Sequence, residues 1–422
     1  MKNKENNKKI QYGFLLALGC FLIQAIPFGV ASNIHSQFLG YIVDEHNFSL
    51  GSISLMFTVG TIISAICSPT IGKLFNKISA KLIFTIGAIL SAGGIFILSI
   101  AGNVLPLFYI GYGISQVGTA AISSIGIPVL LSSWFDDTTR GQVSGIVFAG
   151  SGLGNMFLQK LSAKWLVDIG YAQAYKNFSF LSLVVGVTIS LLLVRMPKND
   201  SEIIRTKSKK EENKEVKSTE KWGYNLKEVI KIKAYWIFAI GFIFIGIYVS
   251  ALTTQDLAYL KSIGFDGNTL GTIGSIFAAC SLLGNLIGGT LYDKLGAFKT
   301  TLLGFILATT SCTLLILAPN THELAYIHGV SKGLSVFAYI LGPSMLTGIL
   351  FGNKELGSVL AITQVFFALG FAFGSAIFGA IVDIAGYNIA WITILISIVI
   401  AYTLILSAIK SMSKINKEKF ER

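Results

Sequence analysis

Residues 82–101 read LIFTIGAILSAGGIFILSIA, a stretch without a single charged side chain. An α-helix needs about 20 such residues to cross the hydrocarbon core of a bilayer. Similar runs recur from Tyr12 to Ile409, and they are apolar on all sides, whereas the strands of a membrane barrel alternate polar and apolar residues. Only 13% of the 422 residues are charged, against about 25% in soluble domains. The sequence therefore predicts an all-α, multi-pass membrane protein.

The apolar runs number twelve and form two groups of six. The first group covers about 12–34, 50–73, 82–101, 106–133, 141–166 and 178–195, and the second about 235–259, 269–292, 300–319, 325–350, 357–382 and 389–409. The stretch between the groups is polar and mixed in charge, most densely at 207–217, and such a composition cannot bury a core. We therefore predict an N-terminal six-helix bundle at 1–195, a cytoplasmic linker at 196–233 and a C-terminal six-helix bundle at 234–422.

Lysine and arginine are unevenly distributed among the segments that join the runs. Most of the 33 lie in the N-terminal segment, the linker, the C-terminal tail and the loops on the same side, whereas the opposite loops hold only Lys176 and Lys261. The positive-inside rule then places both termini and the linker in the cytoplasm, and we expect a location in the plasma membrane. The formal charge of +12 is thereby explained by topology, and nucleic-acid binding is not expected.

The two groups of runs are related by a nearly constant offset of 216 to 218 residues. The recurring segments are Gly72–Lys77 with Gly289–Lys294, Gly170–Tyr171 with Gly386–Tyr387, and Gln37 with Gln255. An offset that holds along the whole chain predicts two homologous bundles in the same orientation. Transporters of this kind bind their substrates near the membrane midplane and expose the site to each side in turn.

The first pair of segments resembles the signature loop of the major facilitator superfamily, which follows the second helix of each half. The matching positions are Gly72, Asn76, Lys77, Gly289, Asp293 and Lys294. The second copy fits well, whereas the first has Asn76 in place of the carboxylate and Ser79 in place of a glycine. The resemblance covers nearly the whole chain and implies the major facilitator fold. It also implies that the glycines permit close helix crossing and that the charged side chains link neighbouring helix ends.

Three further segments resemble the monocarboxylate porter and oxalate/formate antiporter branch of that superfamily. They are 134–145, which contains Arg140, and the ends of predicted helices five and eleven at 167–171 and 382–387. These motifs indicate the branch and say little about the ligand, because they lie at helix ends rather than midway along the helices. Two departures limit the resemblance, because Asn285 stands where monocarboxylate porters carry an arginine, and 357–382 lacks the lysine that oxalate/formate antiporters use. A strong site for divalent oxalate is therefore not expected.

Lys332, within predicted helix ten, is the outstanding charged residue of the apolar runs. A charge at the bilayer centre costs about 2.5–3.5 kcal/mol on insertion scales, so its presence needs a reason. His328 and Tyr339 share its face at helical spacing, and Gln116 is its counterpart in the first half. We interpret Lys332 as a cavity-facing group that binds a carboxylate. The alternatives are snorkelling to the outer headgroups and a structural ion pair.

Other polar residues in the runs are less specific. Gln37 and Gln255 lie near the outer end of the predicted cavity and are candidate substrate contacts, although such amides also join helices to one another. The candidate titrating groups are His35, His328 and Asp256. Three Gly-x-x-x-Gly pairs, at 150 and 154, 284 and 288, and 370 and 374, predict close packing of helices.

These features favour a secondary transporter that moves a small, monocarboxylate-like organic anion by alternating access. Symport with protons and exchange against a counter-anion are both open. An exporter of hydrophobic or amphipathic compounds is the alternative within transport, and a membrane sensor of a metabolite is the remote one.

Other classes of protein do not fit the sequence. A Walker-type phosphate-binding loop is missing, and the apolar runs offer no nucleophile with a base, so neither ATP-driven transport nor an enzyme is expected. The four cysteines lack metal-ligand spacing, and neither a metal nor a cofactor is predicted. The low use of arginine suggests a bacterial source, and we expect a monomer.

Overall fold

The computed structural model describes residues 2–75, 77–135, 137–197, 199, 202–204, 222–352 and 354–420. Asn76 and the charged stretch 207–217 lie outside the described residues. Across these ranges the regular structure is helical, and β-pairing is confined to two isolated bridges, Phe135 with Ile204 and Gly223 with Gly352. The predicted all-α fold class is confirmed.

The helical elements include two short π-helical segments. In chain order they are α1 (Lys2–Ile23), π1 (Gln24–Phe28), α2 (Gly29–Ser32), α3 (His35–His46), α4 (Leu50–Leu74), α5 (Ala80–Ile100), α6 (Leu105–Thr119), π2 (Ala120–Ser124), α7 (Gly126–Trp134), α8 (Asp137–Leu192), α9 (Leu226–Val229), α10 (Lys233–Thr254), α11 (Asp256–Ser262), α12 (Gly267–Leu317), α13 (Leu324–Leu334), α14 (Phe337–Ile340), α15 (Gly342–Phe351) and α16 (Leu356–Phe420). Several predicted membrane spans are thus built from two or more consecutive pieces.

The number of membrane spans follows from the lengths of these helices. In the described part of the chain, eight segments are long and apolar enough to cross a membrane, or nine if the bent pair Leu324–Ile340 and Gly342–Phe351 is one span. The helices α8, α12 and α16 are each more than 50 residues long and leave the helical conformation at Gly170, Gly296 and Gly386. Each therefore comprises two spans, which is consistent with the predicted twelve.

The turns inside these long helices show that the sequence repeat extends to the backbone conformation. Gly170 and Gly386 are repeat-related, and both have a positive φ, 73° and 80°, which glycine adopts without a steric penalty. Gly296 has the same conformation, but its counterpart in the first half is Ser79. Ser79 adopts an extended conformation and caps α5 by accepting a hydrogen bond from the Leu82 amide at 3.3 Å. The serine therefore replaces a glycine turn with a capped one.

The contacts divide the chain into two compact units. Unit 1 consists of Met1–Phe48, Leu55–Glu212 and Asp266–Ser275, and unit 2 consists of Ser49–Ser54, Asn213–Phe265 and Ile276–Arg422. Each unit thus combines most of one half of the sequence with a short segment from the other half. The predicted boundaries at 195 and 234 stay predictions.

Glycines allow the closest helix crossings within each unit. A Cβ added to Gly154 would lie 2.1 Å from the carbonyl oxygen of Ala25, and one added to Gly370 would lie 1.9 Å from that of Ile243. Gly284 approaches the backbone of Leu334 in the same way. The predicted packing role of the three Gly-x-x-x-Gly pairs is therefore confirmed.

The glycines of the signature loops behave differently. A Cβ on Gly72 or Gly289 would meet nothing within 4 Å, so the expectation that these two glycines permit close crossing does not hold. The close approach on α12 occurs earlier, at Gly284 and Gly288, because that is where the helix meets the backbone and side chains of α13 and α14. Near the loops, the side chains of Lys77, Arg140, Asp293 and Lys294 are exposed. Asp293 and Lys294 form no ion pair with another described residue, and the expected link between helix ends stays a prediction.

The beginning of the linker is attached to unit 1. The Arg195 guanidinium lies over the rings of Tyr12 and Trp134, 4.2 and 4.8 Å from their centroids. It also forms an ion pair with Glu202 at 2.7 Å, and this hydrogen bond raises the pKa of Arg195. The Ile204 amide donates to the carbonyl oxygen of Trp134 at 2.8 Å. The first residues of the linker therefore pack on the middle of α1 and on the end of α7.

The end of the linker is attached to unit 2 at a related position. The Tyr224 amide donates to the carbonyl oxygen of Phe351 at 3.0 Å, and the Tyr224 hydroxyl donates to Asn416 Oδ1 at 3.0 Å. Phe351 is repeat-related to Phe135, which forms the bridge with Ile204 in unit 1. The described parts of the linker are therefore held within two residues of the end of predicted helix four and of predicted helix ten.

Gly370→Ala is expected to destabilise unit 2, because the new methyl group clashes with the backbone of Ile243. Overpacking of this kind costs about 1–3 kcal/mol, so thermal unfolding in detergent, followed by intrinsic fluorescence, should occur at a lower midpoint. Gly357→Ala on the same helix is the matched control, since a Cβ there meets nothing within 4 Å. Equal midpoints for Gly370→Ala and the native protein would contradict the packing described here.

Candidate functional site

Two helices of unit 2 are interrupted next to a charged residue. α10 ends at Thr254 and α11 begins at Asp256, while Lys332 lies in the last turn of α13, which ends at Leu334. Interrupted membrane helices form the binding sites of many transporters, because they expose backbone groups within the membrane. A carboxylate at the start of a helix and a cation near the end of one both interact favourably with the helix dipole. The local structure therefore stabilises both charges.

Asp256 and Lys332 form a buried ion pair. The Lys332 Nζ donates to Asp256 Oδ2 at 2.5 Å, and the two residues are only 5% and 2% exposed. The Nζ atom also lies 4.2 Å from the centroid of the Phe277 ring, and Asp256 Oδ1 accepts from the Leu257 amide at 2.8 Å. Removal of either charge would leave the other uncompensated in a region of low dielectric.

His328 completes this cluster and is fully buried. Its Nε2 atom lies 3.3 Å from Asp256 Oδ2. Its Nδ1 atom lies 2.9 Å from the hydroxyl oxygen and 3.0 Å from the carbonyl oxygen of Ser311. Both ring nitrogens therefore have polar partners, and Asp256 has a potential donor on each side.

The ion pair changes the interpretation of Lys332 given by the sequence. In this structure Lys332 is not a free cation in a cavity; it adopts the ion-pair alternative. The sequence identified Asp256, His328 and Lys332 one by one and missed their association, because Asp256 and Lys332 are 76 residues apart and no spacing rule connects them. Tyr339, on α14, is half-buried and close enough to Asp256 to interact with it electrostatically.

Two predicted amides of unit 2 have an unused hydrogen-bond acceptor. Asn285 is half-buried, and its Oδ1 atom has no hydrogen-bond partner among the described residues. The Oε1 atom of Gln255 is in the same state, although its Nε2 atom donates to Ser54 at 2.8 Å and to Ser375 at 2.6 Å. A buried acceptor without a donor costs about 1–3 kcal/mol. Both amides can therefore accept a hydrogen bond from a ligand or from water.

The predicted amides of unit 1 have protein partners. Gln37 donates to Gln159 Oε1 at 2.5 Å and accepts from Ser162 at 2.8 Å, which supports a role in joining helices. Gln159 is repeat-related to Ser375, the partner of Gln255, so the same link occurs in both halves. Gln116 donates to the carbonyl oxygen of Ala31 at 2.7 Å. The expected contacts of these amides with substrate stay predictions.

A polar contact between the two π-helical segments of unit 1 has no signature in the sequence. The Ser123 hydroxyl, on π2, donates to Gln24 Oε1, on π1, at 3.2 Å, and the buried Gln24 Nε2 has no described partner. π-Helical turns are rare and often occur at functional sites. A single buried glutamine carries no spacing signal, and the only available cue was Pro27, which lies inside π1.

Two lysines of predicted helix five were also missed. Lys160 and Lys164 are exposed, and at helical spacing they share a face with Phe157 and Val167, which are 75% and 61% exposed. A Cβ added to Gly267 would lie 2.5 Å from Val167 Cγ2, and one added to Gly271 would lie 3.3 Å from Lys160 Cα, so part of this face packs against α12.

Comparison with known proteins identifies the family. Residues 21–349 and 254–421 match the profile of the Major Facilitator Superfamily. Together the two matches cover nearly the whole chain. The chain belongs to the major facilitator superfamily. It is therefore a multi-pass membrane transporter of small molecules, and the expectation that it is not an enzyme is confirmed.

Relatives in the superfamily carry different substrates. The chain is 24% identical to the oxalate:formate antiporter of Oxalobacter formigenes over 88% of this chain and 85% of that protein. It is 22% identical to the human chromaffin granule amine transporter over 86% of this chain and 65% of that protein. It is 29% identical to the riboflavin transporter RibJ of Trypanosoma brucei brucei, but over only 44% of this chain and 35% of that protein. The predicted resemblance to the antiporter branch is confirmed at low identity.

Solved structures support the fold. A bacterial homologue of the human lysosomal transporter Spinster matches with a TM-score of 0.77 at 13% identity, over 94% of this chain and 97% of that one. The nucleoside transporter NupG matches with a TM-score of 0.73 at 14% identity, over 94% and 99%. At such low identity these matches establish the major facilitator fold and nothing about the substrate.

Substitutions at the ion pair are expected to be non-additive in stability. Lys332→Gln or Asp256→Asn alone leaves a buried charge without its partner, which costs about 3–5 kcal/mol. The double variant removes both charges and should recover most of that loss. Thermal unfolding of the four proteins in detergent gives the coupling energy. A double variant as unstable as the sum of the two single variants would show that the charges do not stabilise each other.

Proposed function

We propose that this superfamily member is a secondary transporter of a small, monocarboxylate-like organic anion, which it moves by alternating access. The observation that carries the proposal is the buried Lys332, which already holds a carboxylate, that of Asp256. A ligand carboxylate offers the same oxygen atoms and charge, so it can bind the same ammonium group. Charge-assisted hydrogen bonds of this kind are among the strongest that a protein side chain makes.

Lys332 can hold a second carboxylate. A lysine ammonium has three N–H donors, and Asp256 Oδ2 accepts only one of them. The ring of Phe277 covers one side of the ammonium and adds a cation–π contact. A ligand can therefore approach Lys332 while Asp256 remains nearby, and the Tyr339 hydroxyl on the neighbouring α14 is a further candidate donor to it.

The charge of the proposed substrate follows from the number of cations. Unit 2 carries one membrane-embedded lysine at the site, and Asn285 occupies the position where monocarboxylate porters have an arginine. The repeat-related position in unit 1 is the neutral Gln116. One cation suits a univalent anion better than a divalent one. The similarity to the oxalate:formate antiporter supports an organic acid, and the single lysine of this cluster favours an acid with one carboxylate.

We also propose the membrane, the orientation and the oligomeric state of the protein. We place it in the plasma membrane as a monomer, with both termini and the linker in the cytoplasm, because the basic residues concentrate in those segments. Fusion of a reporter enzyme to each terminus would test this orientation.

A second candidate function is export of a hydrophobic amine. The specific observation that favours it is the closed ion pair, which leaves the site without net charge and places a buried carboxylate, Asp256, where an ammonium group can bind. The similarity to the chromaffin granule amine transporter points in the same direction. In that case Lys332 would serve to open and close the site, and organic acids would not be carried.

Uptake of radiolabelled formate, lactate, pyruvate and benzoate into proteoliposomes tests the proposal. We expect counterflow of at least one of them above protein-free liposomes. Both Lys332→Gln and the double variant Asp256→Asn/Lys332→Gln should reduce it about tenfold or more, because the charged hydrogen bond to the ligand is lost. The double variant excludes misfolding as the cause.

Lys414→Gln is the matched control, since Lys414 is exposed on the C-terminal part of α16 and the substitution removes the same charge. Its counterflow should equal that of the native protein. Counterflow that persists in the double variant would contradict the role of Lys332. Transport of an amine with none of the four acids would favour the exporter.

A further inference from the structure

The net charge of the cluster formed by Asp256, His328 and Lys332 depends on whether a ligand is bound. Without a ligand, the anionic Asp256 and the cationic Lys332 cancel, so the cluster has no net charge while His328 is a neutral imidazole. A univalent carboxylate on Lys332 gives the buried cluster one net negative charge. An uncompensated charge in such a place is strongly unfavourable, so the loaded cluster favours uptake of one positive charge.

The hydrogen-bond partners of His328 allow its ring to bind that positive charge as a proton. As a neutral imidazole protonated on Nε2, it donates to Asp256 Oδ2, and Nδ1 accepts from the Ser311 hydroxyl 2.9 Å away. As an imidazolium it keeps the contact with Asp256 and donates from Nδ1 to the Ser311 carbonyl oxygen 3.0 Å away. Ser311 thus offers a donor to one form of the ring and an acceptor to the other. The proton can be bound without any rearrangement of the backbone.

The groups that face Asp256 come from several elements. α13 contributes Lys332 and His328, and α14 contributes Tyr339, whose hydroxyl titrates near pH ~10 in water and remains neutral. α12 contributes the uncharged Phe277 ring beside Lys332. Of these groups, His328 is the one whose side chain can take up a proton and keep a hydrogen-bond partner at both ring nitrogens. It is therefore the acceptor that a physiological proton gradient can use.

We propose that His328 binds the coupling proton, so that one proton enters with each univalent carboxylate. This inference rests on the proposed function. In the loaded cluster the ligand pairs with Lys332 and the imidazolium pairs with Asp256, so two cations face two carboxylates. The net charge is zero before and after loading, and transport is therefore electroneutral. Asp256 is a positioning residue, which exchanges part of its contact with Lys332 for a stronger one with His328.

Proton uptake by the native protein is the first test, and it needs no variant. The purified full-length protein in a weakly buffered detergent solution is mixed with the univalent acid that shows the strongest counterflow. We expect the pH to rise by an amount equal to one proton per protein molecule at saturation. Binding without proton uptake would overturn the inference.

A second test uses proteoliposomes with an inward gradient of one pH unit. At one proton per carboxylate this gradient drives about tenfold accumulation, because one pH unit corresponds to a factor of ten in the proton concentration. Accumulation should not change when a valinomycin-clamped potential is applied. His328→Gln should lose the accumulation, with a ratio near one, at whatever rate of counterflow it retains. His322→Gln is the matched control, since His322 is exposed in the same unit, and it should accumulate the acid like the native protein.

The outcomes separate the two claims. Tenfold accumulation by His328→Gln, or accumulation driven by the membrane potential, would overturn the role of His328 while leaving carboxylate transport intact. Loss of counterflow as well as accumulation in His328→Gln would show that the residue is needed for transport itself and would also overturn a role confined to coupling. The lack of counterflow for every acid in the native protein would contradict the proposed function, and the inference would fall with it.

Discussion

The burial of one ion pair governs the chemistry of unit 2. Asp256 and Lys332 lie at the interruptions of two membrane helices and are almost fully buried there, so each charge requires the other. A ligand carboxylate that binds Lys332 therefore leaves the charge of Asp256 less well compensated. The neighbouring His328 is the group that can supply the missing positive charge. Anion recognition and proton binding thus depend on a single electrostatic constraint.

The two halves of the chain share a backbone plan and differ in their chemistry. Gly170 and Gly386 make the same turn, and Gln37 and Gln255 make the same type of link to repeat-related residues. The difference lies at the position held by Gln116 in one half and Lys332 in the other. Gln116 donates to a carbonyl oxygen, whereas Lys332 pairs with a carboxylate. Repeat-related positions of the two halves therefore carry a neutral amide in one and a charged ion pair in the other.

The fold could be predicted well from the sequence, because the signals for it extend over many residues and have a direct physical cause. Runs of apolar residues reveal membrane helices, and the constant offset reveals the repeat. The candidate site was predicted less completely, since Lys332, His328 and Asp256 stood out as charges in a membrane but their pairing depends on how α11 and α13 pack. The role assigned to Gly72 and Gly289 failed for a related reason, because a glycine in a motif does not reveal which element, if any, lies beside it. The π-helical contact of Gln24 with Ser123 has no periodic signal at all.

Direct observation of a bound carboxylate tests the central claim most simply. An electron cryo-microscopy map of the protein with a transported acid should show the ligand carboxylate about 2.7–2.9 Å from Lys332 Nζ, as expected for a charge-assisted hydrogen bond. The contact between His328 Nε2 and Asp256 should shorten from 3.3 Å at the same time. A ligand bound away from Lys332, with the Asp256–Lys332 pair unchanged, would contradict the account.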